Sequence, residues 1–428
     1  MNKTSRIQFL MLGAATVLIA GTASAGSFAL REQSAVGQGQ AFAGAAAGQA
    51  GLGSMYWNPA TMAAFEGFQV EVDLSGIFPY SDITPTNGTA PALLLLGGTG
   101  STGDMALDAA LPAGYVSYQV SDDVWIGLGL NTPFGLETKN PFNYSGQIYA
   151  RTSEVLSYDI NPTIAWQVND WLAIGGGIEA MYFKTRLTQA MTPYPGAPSA
   201  ELEGDSWGVG FTLGFTLTPM DGTVIGVGYR SQIKQNLEGH LDLGAMMGPL
   251  PPGSYPVKSD LTLPDQITVG LSQALTDQLT LNAGFEWTNW SVFNNFPVYG
   301  TSGFTNGMQL TDLPFEYDDG YYLSVGLEYA MNERFTVRGG VGYIEEWPEA
   351  KLLRDAHLGS IWEGTSNIVA LDVMRAVRRQ QNAFFFNPFG HTEGAVHALA
   401  GGGQQLRRPV HQMAQQIGVL CGHQSGAR

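Results

Sequence analysis

The chain has 428 residues, 44% hydrophobic and 13% charged, with 37 acidic against 20 basic side chains and a single cysteine, Cys421. This acidic excess excludes nucleic acid as a partner, since phosphate binding needs clustered Lys and Arg, and a lone cysteine excludes a disulfide framework. The charged fraction is roughly half of what a soluble domain carries, yet no long apolar run follows the first 25 residues. Membrane β-structure satisfies both facts, because lipid-facing residues alternate with inward ones and leave no hydropathy peak.

Residues 1–25 read as a secretory signal peptide, with Lys3 and Arg6, an apolar run over 9–20 too short to span a bilayer, and an Ala23-Ser24-Ala25 cleavage site. A Gly/Ala-rich stretch over 34–60 follows and closes on Tyr56-Trp57-Asn58-Pro59-Ala60. Burying small residues gains little against the entropy of ordering them, so this stretch must pack inside something else. The spacing predicts a plug, or hatch, over 26–67.

From Phe68 onward apolar residues alternate in paired segments joined by short turns. Val116, Tyr118 and Val120 share a face, Ser121-Asp122-Asp123 turns, and Val124, Ile126, Leu128 and Leu130 resume that face, which is a hairpin. The rhythm recurs at 169–170, 219–222, 276–278 and 332–333 and yields eleven strands between Phe68 and about Tyr343. Each approaches the roughly nine to eleven residues that a tilted strand needs to cross a bilayer. Long Pro- and Gly-rich connections at 79–112, 132–154, 187–205, 235–265 and 291–320 alternate with the tight turns, as in an outer-membrane barrel. A soluble β-sandwich would not place every long connection on one side. Aromatics near strand ends, among them Trp125, Trp166 and Trp207, fit interfacial girdles. Because bacterial single-chain barrels close with an even number of strands, eleven implies an incomplete wall or a hidden strand.

The plug ending in WNPA, the segment GYRSQIKQNLEGH (228–240) and the segment LPDQITVGLSQALTDQLTLNAGFEWTNWS (263–291) occur in an order and spacing that resemble the FadL-type outer-membrane transporters of long-chain fatty acids and aromatic hydrocarbons. The resemblance covers roughly residues 26–338. It implies an all-β fold, a transmembrane antiparallel barrel of fourteen strands with an N-terminal hatch, and passive transport of hydrophobic molecules through a lateral gap in the wall. It implies no enzyme activity and no cofactor. The partners it implies are a hydrophobic small molecule, outer-membrane lipid and the barrel-assembly machinery, with the protein a monomer in the cell outer membrane.

Residues 350–379, AKLLRDAHLGSIWEGTSNIVALDVMRAVRR, resemble the C-terminal helical region of AidB-like acyl-CoA dehydrogenases. The two resemblances together imply a chimeric sequence, with a short α-helical fragment over 339–380 joined to a truncated barrel over 68–338 that lacks the last three of its fourteen strands, and a poorly ordered tail over 381–428. The composition shifts at the same place, since His357, His391, His397, His411, His423 and Cys421 all lie beyond Gly339. Glu363 matches the carboxylate of that family's EGT motif, but the flavin- and substrate-binding parts are absent, and a lone Glu without a hydride acceptor is not catalytic. The alternatives weighed are such a flavoenzyme fragment and a structural or adhesive barrel.

Asn58, Pro59 and Ala60 are expected at the corner between hatch and barrel, as a tight turn or as a gate. Phe28 and Leu30 would enter an apolar pocket, to move with ligand or simply to pack. Leu94 and Leu95, in the apolar run of the first long loop, would form a capture surface or a helix at the barrel mouth. Phe134 and Leu136 follow the third strand, where the resemblance implies a kinked wall, and would line the lateral exit. Lys139 and Arg151 would meet a fatty-acid carboxylate or sit in wall salt bridges. Asp159, Glu179 and Glu286 read as lumen charges, and neither a Ser/His/Asp set nor a metal-ligand cluster is seen.

Overall fold

The computed structural model describes residues 28–83 and 101–345, apart from 145, 193, 316 and 334. The signal peptide, Leu94, Leu95 and everything from 346 onward, Glu363 included, lie outside the described residues. Sixteen strands join in one sheet. They are β1 Phe68–Ile77, β2 Ala109–Ser121, β3 Val124–Asn131, β4 Gly135–Lys139, β5 Thr152–Asn169, β6 Leu172–Ala190, β7 Ser199–Met220 and β8 Thr223–Arg230, then β9 Ile233–Leu243, β10 Gly253–Leu263, β11 Gln266–Ala274, β12 Leu279–Thr288, β13 Asn295–Gly300, β14 Gln309–Pro314, β15 Gly320–Ala330 and β16 Thr336–Glu345.

Eleven of these, β1-β2-β3-β5-β6-β7-β8-β11-β12-β15-β16, follow one another as antiparallel neighbours. They are the eleven that the hairpin rhythm marks in the sequence. The remaining five correct the sequence reading, because β4, β9, β10, β13 and β14 lie inside stretches that look like loops. With the upper halves of β5, β6 and β7 they form a second level of the sheet, in the order β4-β5-β6-β7-β9-β10-β13-β14. β7 belongs to both levels, pairing with β8 through Thr212 to Met220 and with β9 through Ala200 to Asp205.

The physical reason is an inversion of pattern along single strands. On β6 the outward residues run from Ile174 and Ile178 to Tyr182 and then become Lys184 and Arg186. The inward residues change from Gly175 and Glu179 to Met181 and Phe183, both 1% exposed. Tyr158, Tyr182 and Trp207 face one another across β5, β6 and β7 and mark the change. Below this aromatic row the outer face is apolar and suits lipid; above it the outer face is charged, with Lys184–Glu203 at 2.7 Å and Arg186–Glu201 at 2.8 Å. Trp125 corrects the girdle assignment, being 3% exposed and turned inward, with its indole donating to the Phe65 carbonyl at 2.8 Å.

The plug lies against the inner face of the lower level. It consists of α1 (Ala35–Gln38), capped by the Ser34 hydroxyl, and 3₁₀ turns at Ala45–Ala47, Gly51–Tyr56 and Pro59–Ala64. Two β1 carboxylates satisfy its free amides: Asp73 accepts from the Ala35 amide at 2.9 Å and Glu71 from that of Leu52 at 2.8 Å. Leu52, Met55, Trp57 and Met62 are buried against Tyr115, Trp125 and Ala165, each worth about 1.5–3 kcal/mol of apolar burial. Glycines on the wall admit the plug backbone. A Cβ on Gly270 would come within 2.7 Å of the Ala47 amide and one on Gly175 within 2.6 Å of the Ala60 amide, while at Gly226 and Gly228 it would overlap the Ala46 and Trp57 carbonyls.

β16 runs on to Glu345, past the barrel end at 338 read from the sequence, and its Gly340 meets the Gln40 carbonyl of the plug. Eleven alternating strands leave β1 and β16 pointing the same way. Among the described residues β1 pairs only with β2, and β16 only with β15.

Candidate functional site

The wall is interrupted where β3 gives way to β4. Asn131 faces Asp159 and Gly135 faces Leu156, so Thr132, Pro133 and Phe134 stand against only two residues, Ser157 and Tyr158. That is a β-bulge, and Pro133, with no N–H to donate, suits it. On the other side β2 pairs with β3 only as far as Gly114 opposite Leu130, and contact resumes at the bridge between Ala106 and Thr138. Between those points no ladder joins the strands.

Other groups satisfy the backbone there. The N-terminal segment acts as a short strand, with the Leu30 amide donating to the Pro133 carbonyl at 2.8 Å and the Gly135 amide to the Phe28 carbonyl at 2.9 Å. The Gln33 side chain serves Thr132 from both ends, its amide nitrogen donating to the Thr132 carbonyl at 2.8 Å and its oxygen accepting from the Thr132 amide at 3.2 Å. The Ser157 hydroxyl accepts from the Phe134 amide at 2.9 Å and donates to its carbonyl at 2.8 Å. Tyr115 fixes Gln33 in turn by donating to its carbonyl at 2.8 Å.

Phe28 and Phe134 begin an apolar cluster that continues through Met181, Ile233 and Leu263 to Leu202 and Leu241 of the upper level. The Phe28 ring lies 5.0 Å from Trp290, 5.1 Å from Phe293, 5.7 Å from Phe134 and 6.4 Å from Phe183, distances at which aromatic rings attract. Two clefts adjoin the cluster. One, about 520 Å³ counted to its open mouth, lies beside the break among Leu30, Phe134, Met181, Ile233 and Leu263. The other, about 760 Å³, opens in the upper level between Leu187, Leu202, Leu241, Leu313 and Phe315.

The inner end of the first cleft is charged. Arg230, on β8, donates to the Tyr56 carbonyl at 2.8 Å and to Asp159 at 2.9 Å, pairs with Glu179, and stacks over the Tyr56 ring at 4.1 Å. Arg31 pairs with Glu286 at 2.6 Å and lies 4.3 Å above the Tyr322 ring. Burial pushes the Tyr56 phenol up and keeps it neutral there.

Of the residues singled out in the sequence, Phe28, Leu30, Phe134 and Leu136 come together, each at most 8% exposed. Asn58, fully buried, caps the Pro59–Ala64 turn through the Ala60 amide at 3.0 Å and donates to the carbonyls of Ala46 at 2.7 Å and Phe215 at 3.0 Å. Lys139 is exposed on β4. Arg151 is buried and lines neither cleft, although its neighbours Ala150 and Thr152 line the upper one, and it gives hydrogen bonds to Ser199 at 2.6 Å, Gln147 at 2.7 Å and the Ala197 carbonyl at 2.9 Å and stacks on Phe142. Among the described residues neither cation has an ion-pair partner, which corrects the expected wall salt bridge. Sequence reasoning missed Arg31, Gln33, Arg230, Trp290 and Phe293. Arg230 carried a signal, since alternation with outward Tyr229 turns it into a lumen face of small residues.

An antiparallel membrane wall with aromatic rows, an inner plug seated on glycines and an apolar cleft beside a bulged break define a plugged outer-membrane transport barrel. The family model described as outer membrane protein transport protein (OMPP1/FadL/TodX) matches residues 16–353, and the chain belongs to that family. The family is one of transport proteins rather than enzymes. The chain is 25% identical over 376 residues to outer membrane protein P1 of Haemophilus influenzae, covering 78% of this chain and 80% of that one. It is 24% identical over 367 residues, with the same coverage, to the long-chain fatty acid transport protein of Escherichia coli O6:H1. Its fold resembles the crystal structure of a Pseudomonas aeruginosa FadL homologue, with a TM-score of 0.63 and 20% identity over 75% of this chain and 82% of that one. It also resembles the Ralstonia pickettii toluene transporter TbuX, with a TM-score of 0.56 and 21% identity over 74% and 87%.

Proposed function

We propose that this protein moves long-chain fatty acids or other apolar compounds passively across the outer membrane, from the upper cleft along the apolar cluster to the break at Thr132, Pro133 and Phe134, and out sideways into lipid. The observation that carries this reading is that the break opens beside an apolar cleft and is filled by the N-terminal segment and the Gln33 side chain instead of a neighbouring strand. An apolar solute gains about 0.8 kcal/mol per CH₂ by staying out of water, so a path along apolar walls into lipid is favoured over an aqueous pore. Phe28, Leu30, Phe134 and Leu136 line the route in this reading, and Asn58, Pro59 and Ala60 anchor the plug. The chain is exported by its signal peptide, inserted by the barrel-assembly machinery and monomeric. A dehydrogenase-like stretch beyond the wall has no part in transport.

The test is uptake of toluene and oleate by proteoliposomes. Deleting Pro133 removes the extra residue of the bulge and lets the ladder close; uptake should fall at least about tenfold in correctly inserted protein. Wild-type uptake by this variant would refute the lateral route.

A further inference from the structure

The N-terminal segment that fills the break is held at a second place, on another part of the wall. Its backbone bonds to the break through Leu30 and Phe28, whose partners are Pro133 and Gly135. Its Arg31 side chain instead reaches Glu286 on β12, at 2.6 Å. β3 and β12 are the third and ninth of the eleven neighbouring strands, and the first cleft lies between them, lined by Pro133 and Phe134 from the break and by Glu286 and Thr288 from β12. Ala29, Leu30 and Arg31 line the same cleft, so the segment runs across it from one wall to the other. Glu286 is buried and stands opposite Tyr322 in the β12–β15 ladder. Arg31 therefore meets a carboxylate and, 4.3 Å from its centroid, the face of the neighbouring ring. Tyr322 is itself fixed, since it donates to the Ala41 carbonyl of the plug at 2.8 Å and Gly342 leaves room for its hydroxyl where a Cβ would overlap it. The bonds at the break join neutral groups. A charge-assisted bond is roughly twice as strong as a neutral one, and the ring adds a cation–π contact, so the firmest single hold on the segment is at Glu286.

We infer that Glu286 is a positioning residue for transport: by holding Arg31 it keeps residues 28–31 across the cleft, and release of this ion pair is the step that lets the segment leave and a ligand reach the break. This rests on the transport reading above and adds to it the residue that controls the rate.

Glu286→Gln keeps the shape of the side chain and removes its charge. Hydrogen exchange at the Leu30 and Gly135 amides should quicken about tenfold relative to residues 45–60 of the plug, and toluene uptake by proteoliposomes should rise severalfold. Arg31→Gln cuts the same pair from the other end and should reproduce both changes. Glu286→Asp keeps the charge and should stay within about twofold of the wild type in both measurements. Unchanged exchange at Leu30 and Gly135 in both charge-removing variants, or an equal rise at residues 45–60, would overturn the inference, because a contact that only supports the fold loosens segment and plug together. Faster exchange with unaltered uptake would also overturn it, since release of the segment would then not limit passage, and would leave transport standing. Wild-type vesicles that take up neither toluene nor oleate would refute the transport reading and the role of Glu286 with it.

Discussion

The plug meets the wall in two places that are built in opposite ways. Against β6, β8 and β11 the contact is backbone to backbone across glycines, while on β7 Gly214 makes room for the Asn58 side chain, which ties Ala46 of the plug to Phe215 of the wall. At the break the contact runs through the Gln33 side-chain amide, the Tyr115 hydroxyl and a three-residue strand. Dense contact with no room for a side chain resists opening, whereas a few hydrogen bonds at the end of a segment sit at the low-stability end of a fold. The difference implies a plug that stays seated while its N-terminal segment leaves.

The sharpest way to break this comparison is to spoil the seat. Gly228→Val puts a branched side chain where the Trp57 carbonyl lies, and the protein should lose about 3 kcal/mol or more, read as a lower urea midpoint in lipid vesicles. Asn58→Ala removes two donor bonds and a cap at a fully buried position, with an expected loss of about 2 kcal/mol in the same titration. Gln33→Leu attacks the other contact and leaves both backbone groups of Thr132 without this partner. Its global cost should be smaller, about 1 kcal/mol, while amide exchange at residues 28–33 speeds up by an order of magnitude or so. Equal exchange in Gln33→Leu and the wild type would erase the distinction between latch and seat.

The lower level of the sheet was legible because lipid makes a strand announce itself: Tyr158, Ile160, Ile164 and Trp166 are all outward and apolar, and their period of two survives any composition average. The upper level was hidden by the same rule. Once β7 passes Trp207 its outward positions become Glu203 and Glu201 and its inward ones Leu202 and Ala200, so the apolar phase shifts by one residue and the stretch reads as a polar loop. β9 keeps that inverted phase, with Leu237, Leu241 and Leu243 inside. The site was legible in its apolar half, where Phe28, Leu30, Phe134 and Leu136 do meet. Its charged half depends on pairs such as Arg31 with Glu286, separated by most of the chain, and only the wrapped sheet brings them together.

The two cations chosen from the sequence give the smallest expected effects. Arg151→Met removes hydrogen bonds to Ser199, Gln147 and the Ala197 carbonyl, none of them to a carboxylate, so it should cost about 1 kcal/mol in stability and leave toluene uptake unaltered. Lys139→Ala should change less still, within about 0.5 kcal/mol, because the side chain is exposed on β4 and unpaired among the described residues. Its uptake of dodecanoate is the more informative reading. A severalfold fall there, with toluene uptake unchanged, would mean that Lys139 meets carboxylates on the outer side of β4, and the comparison of latch and seat would then describe one of two routes through the wall. Unchanged uptake of both leaves the break beside Phe134 as the place where ligand and plug compete.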